Sequence, residues 1–452
     1  MWNTLSIRPV VLLITVLIAT VSTYTQAQVD VSASPSDIFT VEAAVNAALA
    51  DNPGLAAMKA RVEALASVPA QQGALPDPRL SLNLLNIPLD SFDLQQEAMT
   101  QVQIGFSQML PYPGKLALRT AVAEHETTAA RWQVDEMRLK LERDVRIVWW
   151  NLFFTDRGLE IIERNKQLLR QFVDVAQTKY KVGKGLQQDV LLAQLELSKL
   201  YDRVINLTSM RRNQAVQLNA LLNRPTTYAV QLSDRSTETL SEINDEQGLL
   251  ARATKNRPLL AVGQSNINAA RARLGLAKKD YSPNFNVGVT YGYRGGDNVN
   301  GSTRADLFSV KLSVNLPLYT KNRQDKAVDQ RTRQLLQQQY LLDDERGRVA
   351  AEVSQALADY QRSREQTRLF KQGIIPQASQ TVAAMLAAYQ VNKVDFLNLV
   401  RAQVTLFNYE TRYWKALSQG KQAQARLRAA VGQQKQDVSN NKNNKNNVEV
   451  SP

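Results

Sequence analysis

Tyr180-Lys-Val-Gly-Lys-Gly-Leu-Gln-Gln-Asp-Val-Leu-Leu-Ala-Gln194 returns as Tyr389-Gln-Val-Asn-Lys-Val-Asp-Phe-Leu-Asn-Leu-Val-Arg-Ala-Gln403, at an offset of 209 residues and without a gap. Tyr180, Val182, Lys184, Ala193 and Gln194 meet their own kind at Tyr389, Val391, Lys393, Ala402 and Gln403, and Leu197 meets Leu406. Self-similarity at one long, fixed offset marks an internal duplication.

No proline stands between Pro113 and Pro225, and beyond Gly114 glycine interrupts that span only at Gly158, Gly183 and Gly185. Proline breaks helix interiors, so its absence leaves a very long helix open. Val145, Val148, Leu152, Leu159, Ile162, Leu169, Val173, Ala176 and Tyr180 follow at alternating spacings of three and four, with Thr155 and Lys166 as polar occupants. That is the seam of a coiled coil. A second seam runs Leu186, Val190, Ala193, Leu197, Leu200, Val204 and Leu207. A helix from Gly114 to Tyr180 would be roughly 100 Å long at 1.5 Å per residue, too long for a compact globule. In the second copy the seam continues as Leu399, Ala402, Leu406, Tyr409, Tyr413 and Ala416. Its upstream arm, from Asn322, is interrupted at Gly347, Gly373 and Pro376, and the proline predicts a kink.

Ahead of each helical hairpin lie two runs with strict alternation of apolar and polar residues. In the second copy these are Phe285, Val287, Val289, Tyr291 and Tyr293, then Val310, Leu312, Val314, Leu316 and Leu318. The first copy has weaker versions, Leu80, Leu82 and Leu84, then Val102, Ile104 and Phe106. Alone, such runs also suit half-buried strands of a soluble sheet packed on helices. Amphipathic strands of this length, around a polar loop, equally meet the demands of an outer-membrane barrel. Four strands cannot close one, and open edges are not tolerated in hydrocarbon. Two or three chains would supply eight or twelve strands.

The N-terminus supplies the compartment. Arg8, the apolar run Val10 to Ala19, and the small residues Thr25 and Ala27 read as a secretory signal peptide over residues 1–27. Beyond it, no apolar run reaches the eighteen residues of a membrane-spanning helix. The chain has no cysteine, so neither a lipid anchor nor a disulfide is expected. Its charge of +13 is spread along helical segments and interleaved with acids, which argues against a nucleic-acid partner. Gln433 to Pro452 form a Gln, Asn and Lys tract expected to be disordered. The organisation expected is a signal peptide at 1–27, a first repeat over 28–225 (strand pair 79–109, helical hairpin 114–223), a linker at 226–247, a second repeat over 248–432 (strand pair 284–318, helical hairpin 322–432) and the tail.

Signal peptide, duplication, paired amphipathic strands and long coiled-coil helices together resemble the TolC-like outer-membrane efflux protein family over residues 38–432. The most specific marks are the repeated stretch above and Leu221-Leu-Asn-Arg-Pro225, which closes the first repeat. Ser107-Gln-Met-Leu-Pro-Tyr-Pro-Gly-Lys115 resembles the strand-to-helix joint of the heavy-metal branch, the CzcC and CusC type. The resemblance implies a mainly α chain with a transmembrane β-barrel portion: a homotrimer whose twelve strands, four per chain, form one barrel continued by an α-helical tunnel. It implies a passive exit duct in the outer membrane of a Gram-negative bacterium, its helical part in the periplasm. The duct would serve an efflux or type I secretion system with a periplasmic adaptor and an inner-membrane pump. The rival from another class is a soluble periplasmic coiled-coil scaffold or adaptor. The duplication, and the aromatic strand ends Tyr291, Tyr293 and Tyr319, suited to interfacial girdles, speak against it.

Under that resemblance the helix-to-helix turns Val182, Gly183, Lys184 and Gly185, and Val391, Asn392, Lys393 and Val394, are the periplasmic tips where the adaptor docks. As turns they need only positive φ from glycine and asparagine, but an exposed valine at each tip also invites a partner. The family's closed entrance carries aspartates just past the second tip. Here Asn398 and Arg401 stand at those positions, leaving Asp395 as the nearest acid, Tyr389 as the retained aromatic, and Asp189 as the match of Asn398. Either an acidic constriction or a pairing of Arg401 with Asp189 or Asp395 across protomers would form the gate. No enzyme, cofactor or metal site is expected. His125 is the only histidine, the seven methionines are scattered, and neither a nucleophile motif nor a phosphate loop occurs.

Overall fold

The computed structural model describes residues 38–233 and 239–433. The expected signal peptide, and all of the expected disordered tail except Gln433, lie outside the described residues. The chain opens with β1 (Ile38–Phe39), α1 (Val41–Asp51), α2 (Pro53–Ala66) and α3 (Val68–Gly73). It continues through β2 (Arg79–Leu85), β3 (Gln101–Leu110), α4 (Lys115–Lys181) and α5 (Gln187–Leu221). The second passage has β4 (Gln231–Leu232), α6 (Glu246–Asn256), α7 (Pro258–Lys279), β5 (Phe285–Tyr293), β6 (Leu307–Val314), α8 (Gln324–Leu369), α9 (Ile375–Gln390) and α10 (Phe396–Val431). β4 pairs parallel with β1, so the segment 226–247, read from sequence as a linker, contributes a strand.

At 67 residues α4 spans about 100 Å. Leu152, Thr155, Ile162, Lys166, Leu169 and Ala176 of its expected seam are buried. A second buried stripe, Ile161, Asn165 and Phe172, faces α10: Phe172 meets the Phe396 ring at 6.3 Å, and Gln403 donates to Asn165 Oδ1 at 2.7 Å. Two expected seam residues stand outside the packing. Tyr180 lies in the last turn of α4 and Leu186 is the N-cap of α5, where the hairpin turns and no facing helix covers them. Pro376 is met by a single wide π-helical turn, Phe370–Ile374, which places the proline near the start of α9. A π turn relieves the clash with the preceding carbonyl and the missing N–H that would otherwise kink the helix.

The four long strands form one antiparallel sheet in the order β2-β3-β5-β6, so hairpins from the two halves meet at its centre. The first hairpin, weaker in sequence, is fully laddered from Arg79 opposite Ser107 to Leu85 opposite Gln101. β6 stops at Val314 rather than at Leu318, because Pro317 has no N–H to donate to a ladder. The joint Ser107–Lys115 is fastened to the other half of the chain. Gly114 turns with φ +87°, and buried Lys115 reaches the Ser282 carbonyl and Asn284 Oδ1, both at 3.0 Å, and Asp280 at 3.2 Å.

Candidate functional site: tips, entrance and sheet wall

Both hairpin tips are built by the same bond pattern. At the end of α4, Gly183 (φ +65°) donates to the Tyr180 carbonyl at 3.0 Å and Lys184 donates to the Lys179 carbonyl at 2.8 Å. At the end of α9, Asn392 (φ +60°) donates to Tyr389 at 3.1 Å and Lys393 to Ala388 at 2.9 Å. These are paired Schellman caps, with a left-handed residue at the position that requires one. Gly185 is held close, since a Cβ there would lie 2.9 Å from that of Lys179. Val182 and Val391 are 61% and 63% exposed, and Lys184 and Lys393 are exposed beside them.

Just inside the tips the structure gathers three of the five gate candidates. Lys179 Nζ donates to the Tyr389 carbonyl at 2.6 Å and to Asn392 Oδ1 at 2.7 Å, and it lies 4.0 Å from the Tyr389 ring centre. One side chain thus ties the end of α4 to the second tip. The Tyr389 ring is buried, 5.2 Å from the Phe396 ring, and its hydroxyl has no partner among the described residues. Burial and the nearby Asp189 charge push its pKa up. Asp189 is itself pushed above the usual carboxylate range. Burial is the main cause and the Asp395 charge adds to it, against a bond from the Leu186 backbone and the pull of Lys179. Asp395 is the N-cap of α10, yet its side chain caps nothing. Asn398 and Arg401 are placed apart from this cluster, on exposed α10 surface, and among the described residues Arg401 has no ion pair.

Tyr389 therefore belongs to the interior of the chain rather than to an open surface. Lys179 is the residue that sequence reasoning missed. Its match in the second copy is Ala388, so the duplication drew attention away from it.

The sheet carries the other functional surface. Register places Leu84, Val102 and Tyr293 in one row, Leu82, Ile104, Tyr291 and Phe308 in the next, and Leu80, Phe106, Val289 and Val310 in a third. This face is apolar and exposed. The opposite face is Ser81, Gly105, Thr290 and Ser309 in one row, with Asn83, Gln103, Gly292 and Leu307 in the next. Tyr291 and Tyr293 lie at its loop end and Tyr319 beyond the other. Among the described residues no helix is long and apolar enough to cross a membrane, and no group of three or more His, Cys, Asp or Glu is placed to hold a metal ion.

The comparisons agree with this geometry. CzcC, the cobalt-zinc-cadmium resistance protein of Cupriavidus metallidurans, is 19% identical over 396 residues, 87% of this chain and 90% of that protein. The outer-membrane channel OprN superposes with a TM-score of 0.74 at 15% identity, over 87% of this chain and 89% of its own. CusC, whose crystal structures follow folding and transmembrane channel formation, gives 0.73 at 16% identity, over 87% and 92%. The family model described as outer membrane efflux protein matches residues 44–224 and again residues 249–433. The chain belongs to the outer membrane efflux protein family.

Proposed function

We propose that three copies of this chain close their sheets into one twelve-stranded barrel in the outer membrane of a Gram-negative bacterium, continued by the long helices into a periplasmic duct. The duct is the passive exit of a tripartite efflux system. The observation that carries this is the sheet itself: four strands, apolar on one exposed face and polar on the other, with β2 and β6 as unpaired edges. Such a sheet satisfies its backbone in lipid only by closing with others. A soluble scaffold would leave this whole apolar face in water. The test is direct. Detergent-solubilised protein should be a trimer that inserts into planar bilayers and conducts; a monomer without conductance under every condition would sink the proposal.

Val182, Gly183, Lys184 and Gly185, with Val391, Asn392, Lys393 and Val394, are the surface on which the periplasmic adaptor of an inner-membrane pump docks. The exposed tip valines support that reading. Asp189, Tyr389, Asp395, Asn398 and Arg401 form the entrance, where Arg401, without an ion pair among the described residues, is available to a neighbouring protomer. The relative CzcC makes heavy-metal export the leading cargo and type I secretion the alternative. As a duct the chain needs no metal ligands of its own, since the pump chooses what enters.

A further inference from the structure

Arg79 and Lys311 are the only charged residues in the four strands of the sheet. Register puts them on the same face and in the same row: Arg79 faces Ser107, Ser107 faces Gly288, and Gly288 faces Lys311. That face is the polar one. Both side chains are exposed, and among the described residues neither has an ion pair. Only the small residues Ser107 and Gly288 stand between them in that row. No carboxylate occurs anywhere on the four strands to neutralise them.

We propose that Arg79 and Lys311 form a cationic band inside the barrel that makes the pore prefer anions. The inference rests on the barrel reading above. A charge on the lipid face is costly in hydrocarbon, so the apolar face takes the lipid and these two residues the lumen. Three chains supply six cations. Three inter-strand spacings separate Arg79 from Lys311, about 14 Å, and a tilt of about 40° spreads the two rings by about 9 Å along the pore axis. Twelve strands at that tilt give a backbone diameter of about 24 Å. Long side chains reaching inward then leave no permeant ion farther than about one Debye length, roughly 10 Å at 0.1 M salt, from a fixed positive charge. The preferred solute class is therefore the anion: an oxyanion, an organic acid, or a metal carried in an anionic complex. A bare divalent cation meets the same band as a barrier.

The reversal potential of the reconstituted channel in a KCl gradient tests this. Wild-type protein should pass chloride in preference to potassium, and the Arg79→Gln/Lys311→Gln double variant should lower the chloride-to-potassium permeability ratio by at least about threefold. Because the chain has no cysteine, Lys311→Cys and, independently, Arg79→Cys can be labelled at one position each. A positively charged methanethiosulfonate should restore anion preference to either variant, and a negatively charged one should abolish it. A wild-type channel that prefers potassium, or a ratio indifferent to the double variant and to the sign of the label, would overturn the band while leaving the duct intact. A trimer that passes no current at all overturns the duct reading and the band with it.

Discussion

Arg257 is 3% exposed, and its guanidinium ties four helices together. From the start of α7 it reaches Glu136 on α4 at 2.9 Å, Glu352 on α8 at 3.5 Å, and the Ala429 carbonyl on α10. Breaking a buried pair leaves the surviving charge desolvated, so Arg257→Ala should destabilise by about 3–5 kcal/mol. Removing Glu136 as well, as Arg257→Met/Glu136→Leu, should recover most of that loss in thermal melts followed by circular dichroism. A melt of Arg257→Ala matching the wild type would mean the cluster contributes nothing. Asp189 gives the second residue-level test. Its folded carboxyl is raised by burial first and by the Asp395 charge, so the folded tip holds a proton that the unfolded chain has already released. The contribution of Asp189 to stability is then fully present below the ordinary carboxylate value and is lost as pH rises through the raised one. Asp189→Asn should raise the melting temperature at neutral pH and flatten that slope. Some slope should persist from Glu410, likewise pushed up by burial against the pull of Arg164. An unchanged slope would place the coupling elsewhere.

At the scale of elements, the duplication repeats its stops as faithfully as its seams. The Schellman pattern of the tips recurs where each hairpin ends: Asn223 (φ 55°) with Arg224 bonded back to Asn219 at 2.9 Å, and Gly432 (φ 77°) with Gln433 bonded to Arg428 at 3.1 Å. The phrase Leu221 to Pro225, first a family mark, is therefore a helix stop. The long helices and the sheet were legible because their periods of 3.5 and 2 persist over many residues. The short helices α1, α2, α3 and α6 give too few turns for a period to emerge, and the strand β4 is only two residues long. In the site, the turns could be read from Gly183 and Asn392, whereas the Lys179 link could not. It joins residues about 210 apart through a side chain that the second copy lacks. For docking, Gly183→Asp/Val391→Asp should leave trimer assembly intact, because both positions face solvent and aspartate tolerates left-handed backbone better than most residues. The same change should abolish crosslinking to the adaptor and efflux with it. Undiminished efflux would move docking away from the tips.

For the whole molecule the proposed symmetry converts each entrance residue into three around one axis. The cluster of Lys179, Tyr389, Asn392, Asp189 and Asp395 satisfies itself only in part: Asp189 and Asp395 repel each other, and Lys179 spends its bonds on a carbonyl and an amide. Arg401, exposed and without an ion pair among the described residues, supplies the missing positive charge if it meets a neighbour's carboxylate. Such a contact, partly desolvated where three chains converge, holds the entrance shut, and losing one partner leaves an uncompensated charge costing a few kcal/mol. Arg401→Ala and Asp395→Ala should each raise single-channel conductance and sensitise cells to large antibiotics such as vancomycin. Lys415→Ala is the control, since Lys415 is exposed farther along the same helix. Lys421 would mislead there, because its ammonium donates to the Thr239 carbonyl at 2.9 Å and lies near the Trp150 ring. If both entrance variants conduct like the wild type, the lock between protomers is wrong. The closed state must then be held within each protomer, by the bond from Lys179 to the Tyr389 carbonyl, and Lys179→Met becomes the variant that opens it.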